Sequence, residues 1–118
     1  MKGHTLGQVG ERVAANHLRR LGYRILARNW RCSPGEVDIV ARHGDEYVFV
    51  EVKARRGRAF GAPEEAVTPR KLKRLQAVAH AWLAEHVGDR PVNWRIEVVA
   101  VEFNKRNQVT RVEVIPLF

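Results

Sequence analysis

The chain has 118 residues, with 21 Lys and Arg against 13 Asp and Glu and a formal net charge of +8. That length suits one domain over residues 1–118 with one ordinary core, and the positive excess points to an anionic partner, most simply nucleic acid. The lone cysteine, Cys32, excludes an intrachain disulfide and a CxxC metal site, the five histidines show no HExxH or zinc-type pairing, and no apolar run is long enough to cross a membrane. Met1-Lys2-Gly3-His4 leads into no long apolar stretch, so no secretory leader is expected and a reduced, cytoplasmic setting fits.

Thr5 to Leu21 has helical periodicity. Leu6, Val9, Gly10, Val13, Ala14, His17, Leu18 and Leu21 fall on one side of the wheel, with Gln8, Arg12 and Arg19 opposite. Glu11 sits at the edge of the apolar arc, where a carboxylate either follows the core rim toward a site or is simply solvated. Gly22 is a suitable helix stop. Tyr23 to Arg31 reads as a strand of mixed pattern, and Cys32-Ser33-Pro34-Gly35 is a turn cluster.

A hairpin follows. Gly35-Glu36-Val37-Asp38-Ile39-Val40 and Val48-Phe49-Val50-Glu51-Val52-Lys53 flank His43-Gly44-Asp45-Glu46. A Gly-x pair makes a two-residue II′ turn, which sets position 43 against 46 and therefore Asp38 against Glu51. Opposed residues have Cβ atoms roughly 4.5–5.5 Å apart, and the strand period of two puts Lys53 on the face of Glu51. Val37, Ile39, Val48, Val50 and Val52 would form one apolar face. Val40 and Phe49 would put apolar groups among the charges as well, and a strand apolar on both sides is covered on both sides. Two carboxylates held close and partly buried resist ionisation, whereas a divalent cation such as Mg²⁺ removes the conflict, since it takes one or two carboxylates plus waters and phosphate oxygens. The bland alternative is a surface strand carrying a Glu–Lys pair worth about 0–1 kcal/mol.

Residues 54–63 form a basic, Gly-containing loop. Arg55, Arg56 and Arg58 could clamp phosphates through bidentate contacts, and Phe60 could stack on a base. Thr68-Pro69 is a helix start, with Thr as N-cap and Pro at the first helical position. Leu72, Leu75, Val78, Ala79, Trp82, Leu83 and His86 then recur at helical spacing up to Val87, a core stripe. Lys71 and Arg74 lie in its first turns, where cations beside a helix N-terminus attract phosphate. Val92 to Phe103 reads as a long strand, Asn104-Lys105-Arg106-Asn107 as a turn, and Val109 to Ile115 as the last strand. The order is α-β-β-β-α-β-β. The crossover helix implies a parallel pair, so the expected architecture is α/β, a mixed central sheet flanked by helices.

These elements resemble the PD-(D/E)XK nuclease superfamily, with its restriction-endonuclease-like α-β-β-β-α-β core, an Asp on the second strand and Glu-x-Lys on the third. Asp38 and Glu51-Val52-Lys53 match that signature, although Val37 stands where the superfamily has Pro. The chain is more closely similar to the YraN-like family of predicted endonucleases, through Gly7-Gln8-Val9-Gly10-Glu11, Ala14-Ala15, Gly22-Tyr23-Arg24-Ile25-Leu26, Arg28-Asn29, Gly35-Glu36-Val37-Asp38, Phe49-Val50-Glu51-Val52-Lys53, Arg55, Gly61 and Lys71. Beyond residue 90 the likeness weakens: Arg95-Ile96-Glu97 replaces the family's Arg-Phe-Asp, which leaves a role for Glu97 open.

The resemblance implies a metal-dependent nuclease. Asp38, Glu51 and the Val52 carbonyl would hold Mg²⁺ or Mn²⁺, Lys53 would offset charge on the phosphate, and Glu11 would orient a water at the metal. Glu36 shares the face of Asp38 and could assist. Arg55, Arg56, Arg58, Lys71 and Arg74 would hold the backbone of nucleic acid, DNA rather than RNA, with no sequence-reading motif in sight. A domain this small covers little of a duplex, and a twofold homodimer would match twofold DNA. The alternatives are a non-catalytic nucleic-acid-binding module on a nuclease scaffold, or a protein-interaction scaffold with Trp82 and Trp94 as anchors.

Overall fold

The computed structural model describes residues 4–118; Met1 to Gly3, read above for a leader, lie outside the described residues. Helix α1 (Leu6–Arg20) opens the chain, followed by strands β1 (Arg24–Cys32), β2 (Gly35–His43) and β3 (Glu46–Arg56). A 3-10 turn at Pro63–Ala66 leads into α2 (Pro69–His86), and β4 (Asn93–Phe103) and β5 (Val109–Pro116) close the sheet. The five strands lie in sequence order β1-β2-β3-β4-β5. All pairs are antiparallel except β3 with β4, which are parallel because α2 carries the chain back across the sheet. This is the expected α/β architecture, with β5 as the extra C-terminal strand. Among the described residues no helix is long and apolar enough to cross a membrane.

Both helices begin where side-chain oxygens satisfy their first free N–H groups. Thr5 caps α1 by accepting from the Gln8 N–H at 3.1 Å, while the Gln8 side chain accepts from the Thr5 N–H at 2.9 Å. Thr68 caps α2 by accepting from the Lys71 N–H at 3.3 Å. Such caps contribute about 1 kcal/mol each.

The helices cover opposite faces of the sheet. Ala14, Ala15 and Leu18 of α1 pack with Ile39, Ala41, Val48, Val50, Val99 and Val101. Leu75, Val78, Ala79, Trp82 and Leu83 of α2 pack with Val37, Val40, Phe49 and Ile96. Each fully buried aliphatic side chain contributes about 1.5–3 kcal/mol. Close approach of α1 to β3 depends on Gly10: a Cβ there would lie 2.6 Å from the Ala54 Cβ.

Three expectations need correction. Leu21 is not on the buried stripe; it is the C-cap of α1, 49% exposed, because its residue has already left helical geometry. Strand β3 runs through Arg56 rather than stopping at Lys53, since the parallel ladder with β4 continues to Arg56↔Phe103; the loop is correspondingly shorter. Val37 packs against the α2 side, not beside Ile39, which faces α1. The strand changes face between them, at Asp38.

Candidate active site

The hairpin register is the one the Gly44-Asp45 turn dictates. His43 pairs with Glu46, and the ladder climbs to Ile39↔Val50. Gly44 has φ 62°, a conformation that glycine adopts at no steric cost. The next pair would be Asp38 with Glu51, but backbone pairing between β2 and β3 stops short of it. Instead the Asp38 carboxylate takes over, with Oδ2 accepting from the Val52 N–H at 2.7 Å. The Val52 carbonyl projects to the same side as its N–H, into the gap that β2 leaves as it peels away.

That gap is a cavity of about 320 Å³, lined by Gly35, Glu36, Asp38, Glu51, Lys53, Lys71, Arg74 and Leu75. Its floor is β2 and β3, and its wall is the first turns of α2. Gly35 makes room for the wall, since a Cβ there would lie 2.9 Å from the Arg74 Cδ. The Lys53 Nζ stands 3.4 Å from Glu51 Oε2, with both side chains largely buried. Burial pushes the Asp38 carboxyl up to about 7, helped by a hydrogen bond and charge repulsion from Glu51; the Val52 N–H and Lys53 pull the other way without prevailing. Near neutral pH this pair is therefore only partly ionised, where a free aspartate would be fully charged.

The donor set fits a divalent cation. Two adjacent carboxylates and the Val52 backbone carbonyl are hard oxygen donors, and Mg²⁺ completes its shell with waters or phosphate. Among the described residues no three His, Cys, Asp or Glu side chains gather around one point, so an all-side-chain cage of the zinc type is not on offer. Glu36 reaches the cavity but engages Arg31 at 3.2 Å near the surface.

Of the other expected site residues, the cavity gathers Lys71 and Arg74 and leaves the rest elsewhere. Glu11 accepts from the Arg28 Nη2 at 3.2 Å and the Asn29 Nδ2 at 2.9 Å, in a separate depression also lined by His4, Gln8 and Arg12. Arg55 continues the face of Glu51 and Lys53 by strand alternation, beyond the cavity lining. The Arg56 Nε donates to the Asn107 Oδ1 at 2.9 Å. Arg58 is committed to Glu102, donating at 2.8 and 2.9 Å to its two carboxylate oxygens. Phe60, at the loop tip, is 85% exposed. Glu97 is buried in a different cluster, accepting from the Tyr23 Oη at 2.7 Å and the Arg95 Nε at 3.2 Å. It has no share in the cavity.

Sequence reasoning missed Gly35 and Leu75 as cavity walls, and it passed over the backbone of Asn29, whose φ is 53°. The only available signal was residue type, since Asn tolerates the left-handed region better than other non-glycine residues.

The sequence matches the model of a family described as Uncharacterised protein family UPF0102 over residues 10–101. A UPF0102 protein of Roseiflexus castenholzii is 52% identical over 113 residues, covering 94% of this chain and 90% of the relative. One from Acidothermus cellulolyticus is 60% identical over 86 residues, covering 73% and 65%, and one from Kineococcus radiotolerans is 50% identical over 106 residues, covering 90% and 87%. The matched span runs from the Gly10 contact of α1 through the whole cavity into β4, and the chain belongs to the UPF0102 family, the YraN-like proteins.

Proposed function

We propose that the protein is a metal-dependent nuclease that hydrolyses phosphodiester bonds, acting on structured DNA rather than on a particular base sequence. One observation carries the reading: two carboxylates, Asp38 and Glu51, are held together beside Lys53 in a cavity whose opposite wall is cationic. Neither a binding module nor a scaffold needs two acids placed so close that each opposes the other's ionisation. The resemblance to the PD-(D/E)XK superfamily supports the same assignment.

Asp38, Glu51 and the Val52 carbonyl are the groups that would hold Mg²⁺ or Mn²⁺, which when bound polarises a phosphoryl oxygen and acidifies water. The chain's own side chains supply the rest. The Lys53 ammonium offsets negative charge as it builds on the phosphate, a contribution worth most in a partly desolvated site. Lys71 and Arg74, at the positive end of α2, hold a flanking phosphate. Nothing in the cavity reads base edges, so affinity should rest on backbone contacts and fall with salt.

The test is cleavage of duplex, single-stranded, flapped and junction DNA, with RNA in parallel, in Mg²⁺ or Mn²⁺ and in EDTA. Metal-dependent cutting of at least one DNA structure, lost in EDTA, is expected. Binding that survives EDTA with no cutting of any substrate would contradict the reading and favour a non-catalytic module.

A further inference from the structure

Strand alternation breaks twice at one crossing. In β2, Ile39 faces α1 while Val40 and Val37 both face α2, so the strand skips a step at Asp38. In β1, Ala27 and Trp30 both face α2, so that strand skips a step as well. The ladder pairs Arg28 with Ile39 and Trp30 with Val37, and the pair between them, Asn29 with Asp38, is missing. Asn29 is where β1 takes its left-handed φ of 53°. The two breaks therefore face each other, and the second is where β2 parts from β3 and opens the cavity.

Asn enters this region more easily than other non-glycine residues, but in a strand it does so only where its surroundings favour the break over the regular ladder. Here α1 favours the break. Glu11 Oε1 takes hydrogen bonds from both Asn29 Nδ2 and Arg28 Nη2, and its side chain is largely buried. Gly10, the residue before it, seats this turn of the helix directly on Ala54 of β3. The grip on β1 is thus referenced to the strand that carries Glu51 and Lys53.

We propose that Glu11 is a positioning residue: by holding Arg28 and Asn29 it maintains the kink in β1 that splits β2 from β3 and delivers the Asp38 carboxylate to the Val52 N–H. This assigns Glu11 a different task from orienting a water at the metal. It deepens the nuclease reading, since it explains how the acid pair is built, but its geometry can be tested without metal or cleavage.

The readout is hydrogen-exchange protection of the Val52 amide by NMR, with Val50 as the reference for global stability. Glu11→Ala and Asn29→Ala should lower Val52 protection by about tenfold or more while Val50 changes little. Glu11→Gln keeps an acceptor oxygen for Asn29 and should stay within about threefold of wild type, whereas Asn29→Gly keeps the left-handed backbone but loses the hydrogen bond to Glu11 and should lose protection about as Glu11→Ala does. Mn²⁺ affinity measured by calorimetry should follow the same order. Unchanged Val52 protection in Glu11→Ala and Asn29→Ala would overturn the proposal, and so would an equal loss at Val50. A large loss of Mn²⁺ affinity in Glu11→Gln with Val52 still protected would also overturn it, because Glu11 would then act on the ion itself.

Discussion

Two acidic clusters lie at different places on the same sheet, and they are handled in opposite ways. Glu102 is buried near the end of β4, and Arg58 and Arg111 both donate to it at 2.8 Å. Hydrogen bonds from Arg58, followed by those from Arg111, hold its carboxyl down at about 2, against the desolvation that would raise it. Arg111 is itself tied to Glu64 and Glu113. Among the described residues no arginine pairs with Asp38. Burial and Glu51 push it up to about 7, and Lys53 offsets only part of that. A fold that can satisfy a buried acid with two arginines has left another one short of positive charge, in a cavity open to solvent. A satisfied acid holds structure together; an unsatisfied pair leaves room for a cation that comes and goes.

Removing one acid from each cluster breaks that comparison most sharply. Asp38→Asn should lower metal-dependent cleavage by roughly a thousandfold or more, because it takes a carboxylate from the reacting site. It should leave the melting temperature no lower at pH 8. Glu102→Gln should do the reverse, costing about 1–3 kcal/mol in stability through lost charge-assisted hydrogen bonds with cleavage per folded molecule unchanged. Full cleavage by Asp38→Asn would refute the assignment.

The pH dependence of stability sharpens the contrast, because the two acids give slopes of opposite sign. Asp38 ionises near pH 4 when unfolded and at about 7 when folded. The folded state keeps the proton longer, so this group's contribution is whole below pH 4 and is lost as pH rises through 7, an effect on the order of a few kcal/mol. Glu102 binds its proton less readily when folded, so its contribution is present above about pH 4.5 and is lost as pH falls toward 2. Denaturant melts in EDTA from pH 4 to 8 should therefore show a decline in wild type that Asp38→Asn lacks. Adding Mg²⁺ should reverse the decline at pH 8 and do little at pH 5, since a cation must compete with the proton.

The smallest effects belong to the cationic wall. Lys71→Ala and Arg74→Ala should each weaken DNA binding severalfold at low salt and reduce the salt slope by about 1. Arg58→Ala should change affinity less than either, because its guanidinium is engaged by Glu102.

The elements of the fold were legible wherever a local rule acts alone. Thr68-Pro69 sets the start of α2 and the Gly44-Asp45 turn sets the hairpin register, and that register by itself puts Asp38 and Glu51 at one crossing. What local rules do not carry is where a strand departs from its own period. Val37 was assigned by alternation to the wrong face, because alternation assumes an unbroken strand, and the break at Asp38 is imposed from outside by Asn29 and α1. Arg58 is a similar case: a basic loop looks free in the sequence, and its partner Glu102 is 44 residues away. The sequence leaves a role for Glu97 open; it serves a buried network with Tyr23 and Arg95 that periodicity alone does not predict.

Under the proposed function, Asp38 and Glu51 share one divalent ion. A crystal structure grown with Mn²⁺ near neutral pH, with anomalous data collected for the metal, decides whether they do. One anomalous peak is expected about 2.1 Å from an oxygen of each carboxylate, with the Val52 carbonyl close by. A cavity without that peak at millimolar Mn²⁺, with the two carboxyls still in direct contact through a proton, would contradict the shared site.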